Sequence, residues 1–220
     1  MSADDDYQPD ATAIRVLAVL AEKEKLTPDN YPLSLNGLVN GCNQLTSRDP
    51  VMTLSEQEVE ASLQALAAAR LVAEVSQAGA RVPKYEHRMR LRWTLEQDRL
   101  AALTMLMLRG PQTAAEVRSR AGRMHEFESV AAAEAALQFL IDKYPPLVAR
   151  LARSPGAKEV RYAHLLCGEP VGVEAAAGPQ QAGTYSRQDR ISALEEEVAA
   201  LKAEVARLTQ EFAQIRQLLD

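Results

Sequence analysis

Arginines and lysines gather at three places along this chain, and clustered guanidinium and ammonium groups are suited to contacting phosphate. Residues 77–94 contain Arg81, Lys84, Arg88, Arg90 and Arg92 against the single acid Glu86. Residues 109–123 contain Arg109, Arg118, Arg120 and Arg123 against Glu116. Residues 147–164 contain Arg150, Arg153, Lys158 and Arg161 against Glu159. The competing reading is a solvated hairpin surface on which arginine stems cover apolar neighbours. The formal net charge of −5 looks unfavourable for a polyanion partner, but its distribution reverses that impression. Residues 1–11 carry four acids and no base, and residues 168–220 carry nine acids against five bases. The stretch between them is therefore net positive, and the tails hold the negative excess.

A second group with chemical potential is a set of amides. Asn36, Asn40 and Asn43 fall on one helical face beside Gln44, and asparagine can bond adenine through two hydrogen bonds. The plainer reading is that these amides satisfy backbone groups in the loop from Asn43 to Met52. Gly37 and Gly41 lie near the same stripe, where another backbone could approach.

Catalytic constellations are missing from the sequence. It contains no glycine-rich loop ending in Lys-Ser/Thr, no nucleophile elbow, and no Cys or His pair at metal-ligand spacing. His87 and His164 recur at equivalent places, which fits a structural role, and His125 stands near Arg123 and Glu126 without a second ligand in view. Cys42 and Cys167 form no spaced pair and read as reduced core thiols. The expectation is a non-enzyme with neither cofactor nor metal. The acidic start Met1-Ser-Ala-Asp-Asp-Asp-Tyr7 does not resemble a secretory leader. The longest apolar run, about Leu100–Leu108, is too short to span a membrane. A cytoplasmic protein is expected.

The elements that must position these residues come in two copies. Glu60-Ala-Ser-Leu-Gln-Ala-Leu66 recurs as Glu134-Ala-Ala-Leu-Gln-Phe-Leu140. Leu71-Val-Ala-Glu-Val75 recurs as Leu147-Val-Ala-Arg-Leu151, and Lys84-Tyr-Glu-His87 as Arg161-Tyr-Ala-His164. Three matches in the same order imply one fold used twice. Each copy reads as three helices followed by a two-stranded hairpin. In the first copy Ile14, Leu17, Ala18 and Ala21 form a helical stripe. Ser34 can cap a second helix, and Ser55-Glu-Gln-Glu58 is a capping box opening a third. The hairpin runs Leu71–Val75, a tip at residues 77–81, then Val82–His87. In the second copy Thr94-Leu-Glu-Gln97, Thr113-Ala-Ala-Glu116 and Ser129 should open the three helices. Its hairpin runs Leu147–Leu151, a Ser154-Pro-Gly156 tip, then Val160–Leu165.

Three helices and a β-ribbon make the winged-helix variant of helix-turn-helix. The expected fold class is mainly α with small β-hairpins (α+β). Its parts are an acidic tail over 1–11, winged-helix domains over 12–94 and 95–167, a flexible linker over 168–185 and a helix over 186–220. In that last helix Ile191, Leu194, Val198, Leu201, Val205, Leu208, Phe212, Ile215 and Leu219 are spaced 3-4-3-4, a heptad seam. β-Branched residues at a and leucines at d favour a parallel two-stranded coil, hence a dimer. Arg190 would then face Glu195, Glu197 would face Lys202, and Glu211 would face Arg216 across the seam. A single helix folded back on its own domains is the alternative.

The segments Asn30-Tyr-Pro-Leu-Ser-Leu-Asn36, Cys42-Asn-Gln44, Asp49-Pro-Val-Met52 and Leu54-Ser-Glu56 together resemble the YceH family of bacterial proteins. So do Lys84-Tyr-Glu86, Arg118-Ser-Arg-Ala121, Arg123-Met124 and Glu126-Phe127. The resemblance covers about residues 12–167. It implies a tandem winged-helix fold and a bacterial cytoplasm, often with a C-terminal coiled coil, but no biochemical role. Leu45 departs from it where relatives often carry Lys, which weakens any phosphate contact there.

Two functions suit this layout. One is a dimeric DNA-binding regulator contacting phosphates through Arg81, Lys84, Arg118, Arg120, Arg123, Arg153, Lys158 and Arg161. The other is a protein–protein adaptor resembling the tandem winged-helix subunits of chromosome-segregation complexes. The third helices favour the second reading. Glu56, Glu58 and Glu60 start one of them, the other is alanine-rich around Ala131–Ala136, and neither offers residues that read base edges. The basic residues recurring on both hairpins tip the balance to DNA.

Overall fold

The computed structural model describes residues 7–75, 82–152 and 159–168. The first repeat consists of α1 (Ala11–Leu26), β1 (Leu33–Ser34), α2 (Leu35–Cys42), α3 (Glu56–Ala68), β2 (Val72–Val75) and β3 (Lys84–His87). A short helix, α4 (Met89–Trp93), leads into the second repeat. That repeat consists of α5 (Gln97–Arg109), α6 (Ala114–Ala121), α7 (Val130–Ile141), β4 (Val148–Arg150) and β5 (Tyr162–His164). The protein is thus a mixed α+β chain, rich in helix with small antiparallel sheets. The expected linker and heptad helix, with all nine seam residues from Ile191 to Leu219, lie outside the described residues.

Local capping chemistry sets most helix starts. Ser34 accepts from the Gly37 amide to open α2, and Ser129 accepts from the Ala132 amide to open α7. Ser55 with Glu58 and Thr113 with Glu116 form reciprocal capping boxes at α3 and α6, as their spacing predicts. Thr94 does not open α5. It is the left-handed C-cap of α4, at φ 49°, and Glu96 is the residue before the first turn of α5. The Thr-x-x-Gln pattern was matched, but the backbone there is still leaving another helix.

The first hairpin is also more than a hairpin. β1 pairs antiparallel with β3, Leu33 opposite Tyr85 and Ser34 opposite Lys84, giving a three-stranded sheet in the order β1-β3-β2. The second repeat keeps only a remnant of that third strand. Gln112 and Tyr162 exchange backbone hydrogen bonds at 3.0 and 2.7 Å, and β4 pairs with β5 beside them.

The two repeats share one core. Burial along α1 is continuous from Ala13 to Glu22 rather than confined to the stripe that Ile14, Leu17, Ala18 and Ala21 would form. Its counterpart α5 is buried without a break from Leu100 to Leu108. The reason is that α1 packs against α3 and α2 of its own repeat and against α5 of the other. A helix covered on all sides is apolar on nearly every face, Arg15 and Glu22 being the buried charges on α1, and the helical period of its sequence is correspondingly weak. Among the described residues no helix is long and apolar enough to cross a membrane.

Candidate nucleic-acid interface

The predicted phosphate-binding residues are best resolved on the second repeat. Thr113 and Glu116 fix the start of α6, and the same Glu116 then gathers two arginines. Arg120 reaches its Oε1 at 3.2 Å from within α6, and Arg161 reaches its Oε2 at 3.2 Å from the strand side. The carboxyl is held below the usual range, first by the Thr113 amide and then by these two guanidinium groups. Arg120 also donates to Gln112 Oε1 at 2.8 Å, and Arg161 donates to the Pro111 carbonyl at 2.9 Å. The helix and the strand therefore present their cations on one side, with two guanidinium groups to one carboxylate.

Arg118 is exposed on the same helix, but part of its donor set is committed. Its Nε donates to the Phe127 carbonyl at 3.1 Å and its terminal nitrogen to the Glu128 carbonyl at 3.3 Å, closing the loop into α7. Arg123 follows α6, is exposed, and has no hydrogen bond or ion pair among the described residues. Lys84 sits half-buried in β3, opposite Ser34 on one side and Val75 on the other. Arg81, Arg153 and Lys158, at the hairpin tips, lie outside the described residues.

The third helices carry the surfaces their sequences suggest. Glu56, Gln57, Glu58 and Glu60 are exposed at the start of α3, with Glu58 engaged in its cap. On α7 the exposed residues include Val130, Ala131, Glu134 and Ala135.

The amide cluster splits. Asn43 clamps the backbone of Leu54, its Oδ1 accepting from the amide at 2.7 Å and its Nδ2 donating to the carbonyl at 2.8 Å. Asn40 donates to Asn36 at 3.0 Å on the exposed face of α2. Of the two glycines, Gly41 is the close approach. A Cβ there would meet Val19 Cγ1 at 2.6 Å, whereas one at Gly37 would make ordinary contacts.

Sequence reasoning missed the buried arginines. Arg48, only 5 % exposed, bonds both carboxylate oxygens of Glu22 at 3.1 and 2.6 Å, and also the Gly41 carbonyl and Gln44 Oε1. Arg15, equally buried, donates to the carbonyls of Cys42 at 3.1 Å and Pro50 at 2.7 Å. These groups pin the long loop between α2 and α3 onto α1. The Asp49 amide ties the same loop across to the Leu108 carbonyl of the second repeat at 2.9 Å.

The histidines serve packing and orientation. His87 Nδ1 accepts from the Met89 amide at 3.3 Å while Nε2 lies 3.3 Å from Glu24, which Arg90 also contacts at 3.1 Å. The close approach of the His87 ring, with the Arg90 guanidinium hydrogen-bonded beside it, lowers the Glu24 carboxyl to about 2. Burial alone lowers His164 to about 4. His125 packs edge-on against Phe127 at 4.6 Å. Of the cysteines, Cys42 is a core thiol pushed up to about 12 by burial. Cys167 is exposed, contrary to the expectation of a second core thiol, because it lies past the end of β5 and outside the sheet.

The class defined by these features is a helix-rich α+β protein made from a duplicated helical unit with small antiparallel sheets. Residues 10–157 match the family described as "Protein of unknown function, DUF480", and the chain belongs to that family. It is 66% identical over 189 residues to a UPF0502 protein of Herminiimonas arsenicoxydans, covering 84% of this chain and 80% of the relative. A UPF0502 protein of Chromobacterium violaceum is 58% identical over 166 residues, covering 76% of each. One from Geobacter sulfurreducens is 46% identical over 186 residues, covering 83% of this chain and 84% of the relative.

Proposed function

We propose that the chain is a non-catalytic, dimeric DNA-binding regulator built from two winged-helix units. The observation that carries this reading is the convergence of Arg120 and Arg161 on Glu116, with Arg123 exposed just past the same helix and Arg118 exposed on another of its faces. One carboxylate orients two guanidinium groups without neutralising both. Positive charge drawn from a helix and a strand on one side is what sequence-independent contact with a phosphate backbone requires. The order of helices, with a strand before the second and a β-ribbon after the third, suits a winged helix. The acidic start of α3 and the alanine surface of α7 argue against reading of base edges by either third helix. Affinity would come chiefly from phosphates.

Fluorescence anisotropy of the full chain on a random duplex tests this. Binding should weaken steeply with salt, each phosphate contact adding about 0.9 to the logarithmic slope. Replacing Arg118, Arg120 and Arg123 by Ala should reduce both affinity and slope. No binding at low salt, or no effect of the triple change, would sink the proposal. The second reading, a protein-binding adaptor, is favoured by the exposed Glu56, Glu58 and Glu60 of α3 and by Val130, Ala131 and Ala135 of α7. A partner retained in high salt by the triple variant would support it.

A further inference from the structure

A cleft of about 340 Å³ opens where the ends of α1 and α5, the loop after α2, and the residues closing α6 come together. Pockets for small molecules begin at about 300 Å³. Four cations line it, Lys23, Arg109, Arg120 and Arg123, against one acid, Glu22. That acid is already spent, since both its oxygens are bonded to the buried Arg48 behind the wall. Lys23 leans on Glu22 and Gln44, and Arg120 is oriented by Gln112 and Glu116. Arg109 and Arg123 make no hydrogen bond or ion pair among the described residues. Burial lowers the Arg109 pKa, Arg120 and Arg48 lower it further, and the carboxylates of Glu22 and Asp49 oppose the shift only in part.

The helix ends explain how so many like charges sit together. α1, α5 and α6 each bring basic residues in their last turn, where exposed carbonyls carry roughly half a negative charge per helix. Arg123 lies just past the end of α6 and adds a further cation to this set. Leu26, Met105, Leu108 and Met124 contribute apolar lining beside these cations. Methionine adapts its shape to planar or irregular groups. Thr46 and Ser47 add hydroxyls at the loop side.

We propose that this cleft binds a phosphate-bearing small molecule of mononucleotide size, with Arg109 and Arg123 holding the phosphate and the methionines and leucines covering an apolar body. A double helix is too wide to enter such a space, so the nucleotide would lie within the cleft beside Arg109, while Arg120 and Arg123 are shared with the duplex contact proposed above, on which this part of the inference rests. Because both repeats line the cleft, an occupant joins them and stabilises the folded chain by mass action.

Calorimetric titration and thermal melting of the full chain, with adenosine monophosphate, inorganic phosphate and adenosine as probes, test the assignment. Adenosine monophosphate should bind and raise Tm, inorganic phosphate should bind more weakly, and adenosine should not bind. Arg109→Gln should weaken adenosine monophosphate binding by about tenfold or more, the value of one charge-assisted contact. Its ligand-free Tm and its affinity for duplex should stay as they are. Arg123→Gln, at an exposed position, should weaken the nucleotide to a similar degree and guards against a folding defect at Arg109. Failure of both phosphate probes to bind at millimolar concentration overturns the proposal. So does unchanged binding in Arg109→Gln, or equal binding of adenosine and its monophosphate. If duplex displaces the nucleotide and Arg109→Gln weakens both in parallel, the cleft belongs to the duplex contact and the small-molecule assignment is wrong.

Discussion

At the residue scale the buried charges decide stability. Arg48 and Glu22 are almost wholly enclosed, and removing one partner leaves the other charged in a poor solvent. Arg48→Met should therefore cost about 3–5 kcal/mol in denaturant unfolding at neutral pH. A loss below 1 kcal/mol would mean that water reaches Glu22. His164 makes the fold sensitive to mild acid. Its pKa is about 4 in the folded protein, against about 6.5 in an unfolded chain. Between those values the unfolded chain takes up the proton and the folded one does not, so stability falls as pH drops from about 6.5 to 4 and then levels off for this group. Glu24, at about 2, continues the decline below the ordinary glutamate range. His164→Gln should flatten the first part of that curve, read by urea midpoints at pH 7 and pH 5.

At the element scale the close passage of α2 over α1 is the most exacting contact. Gly41→Ala would drive a methyl into Val19 Cγ1, and overpacking of this kind costs about 1–3 kcal/mol. Val19→Ala in the same chain should recover part of that loss; additive losses in the double variant would place the strain elsewhere. The elements also mark where sequence reasoning succeeds. Ser34, Ser55, Thr113 and Ser129 were legible as caps because capping is settled within four residues. Thr94 misled because the same local pattern sits at the end of α4. β1 escaped notice because it has two residues and takes its meaning from Tyr85 and Lys84, far along the chain. Arg48 went unnoticed because its partner Glu22 lies 26 residues earlier. Of the proposed interface, the cluster 109–123 was visible as composition, but the sharing of Glu116 by Arg120 and Arg161 needed three-dimensional proximity.

At the scale of the whole molecule the heptad seam proposes a dimer. Leu201→Glu with Leu208→Glu should halve the sedimenting mass if leucines at d hold two chains together. An unchanged mass would favour the helix lying back on its own chain. The repeat, by contrast, was readable from three short matches, while its consequence for packing was not. A period-based reading assigns each helix one buried face, whereas α1 and α5 bury each other's second face.

That mutual burial sets an order of events during synthesis. α1 leaves the ribosome some 86 residues ahead of α5, taking Ala11 and Gln97 as their starts. At ordinary translation speeds the interval is roughly ten seconds. For that time the earlier half presents a naked oily flank to the cell, so a nascent chain stalled before residue 97 is the form of this protein most in need of a chaperone.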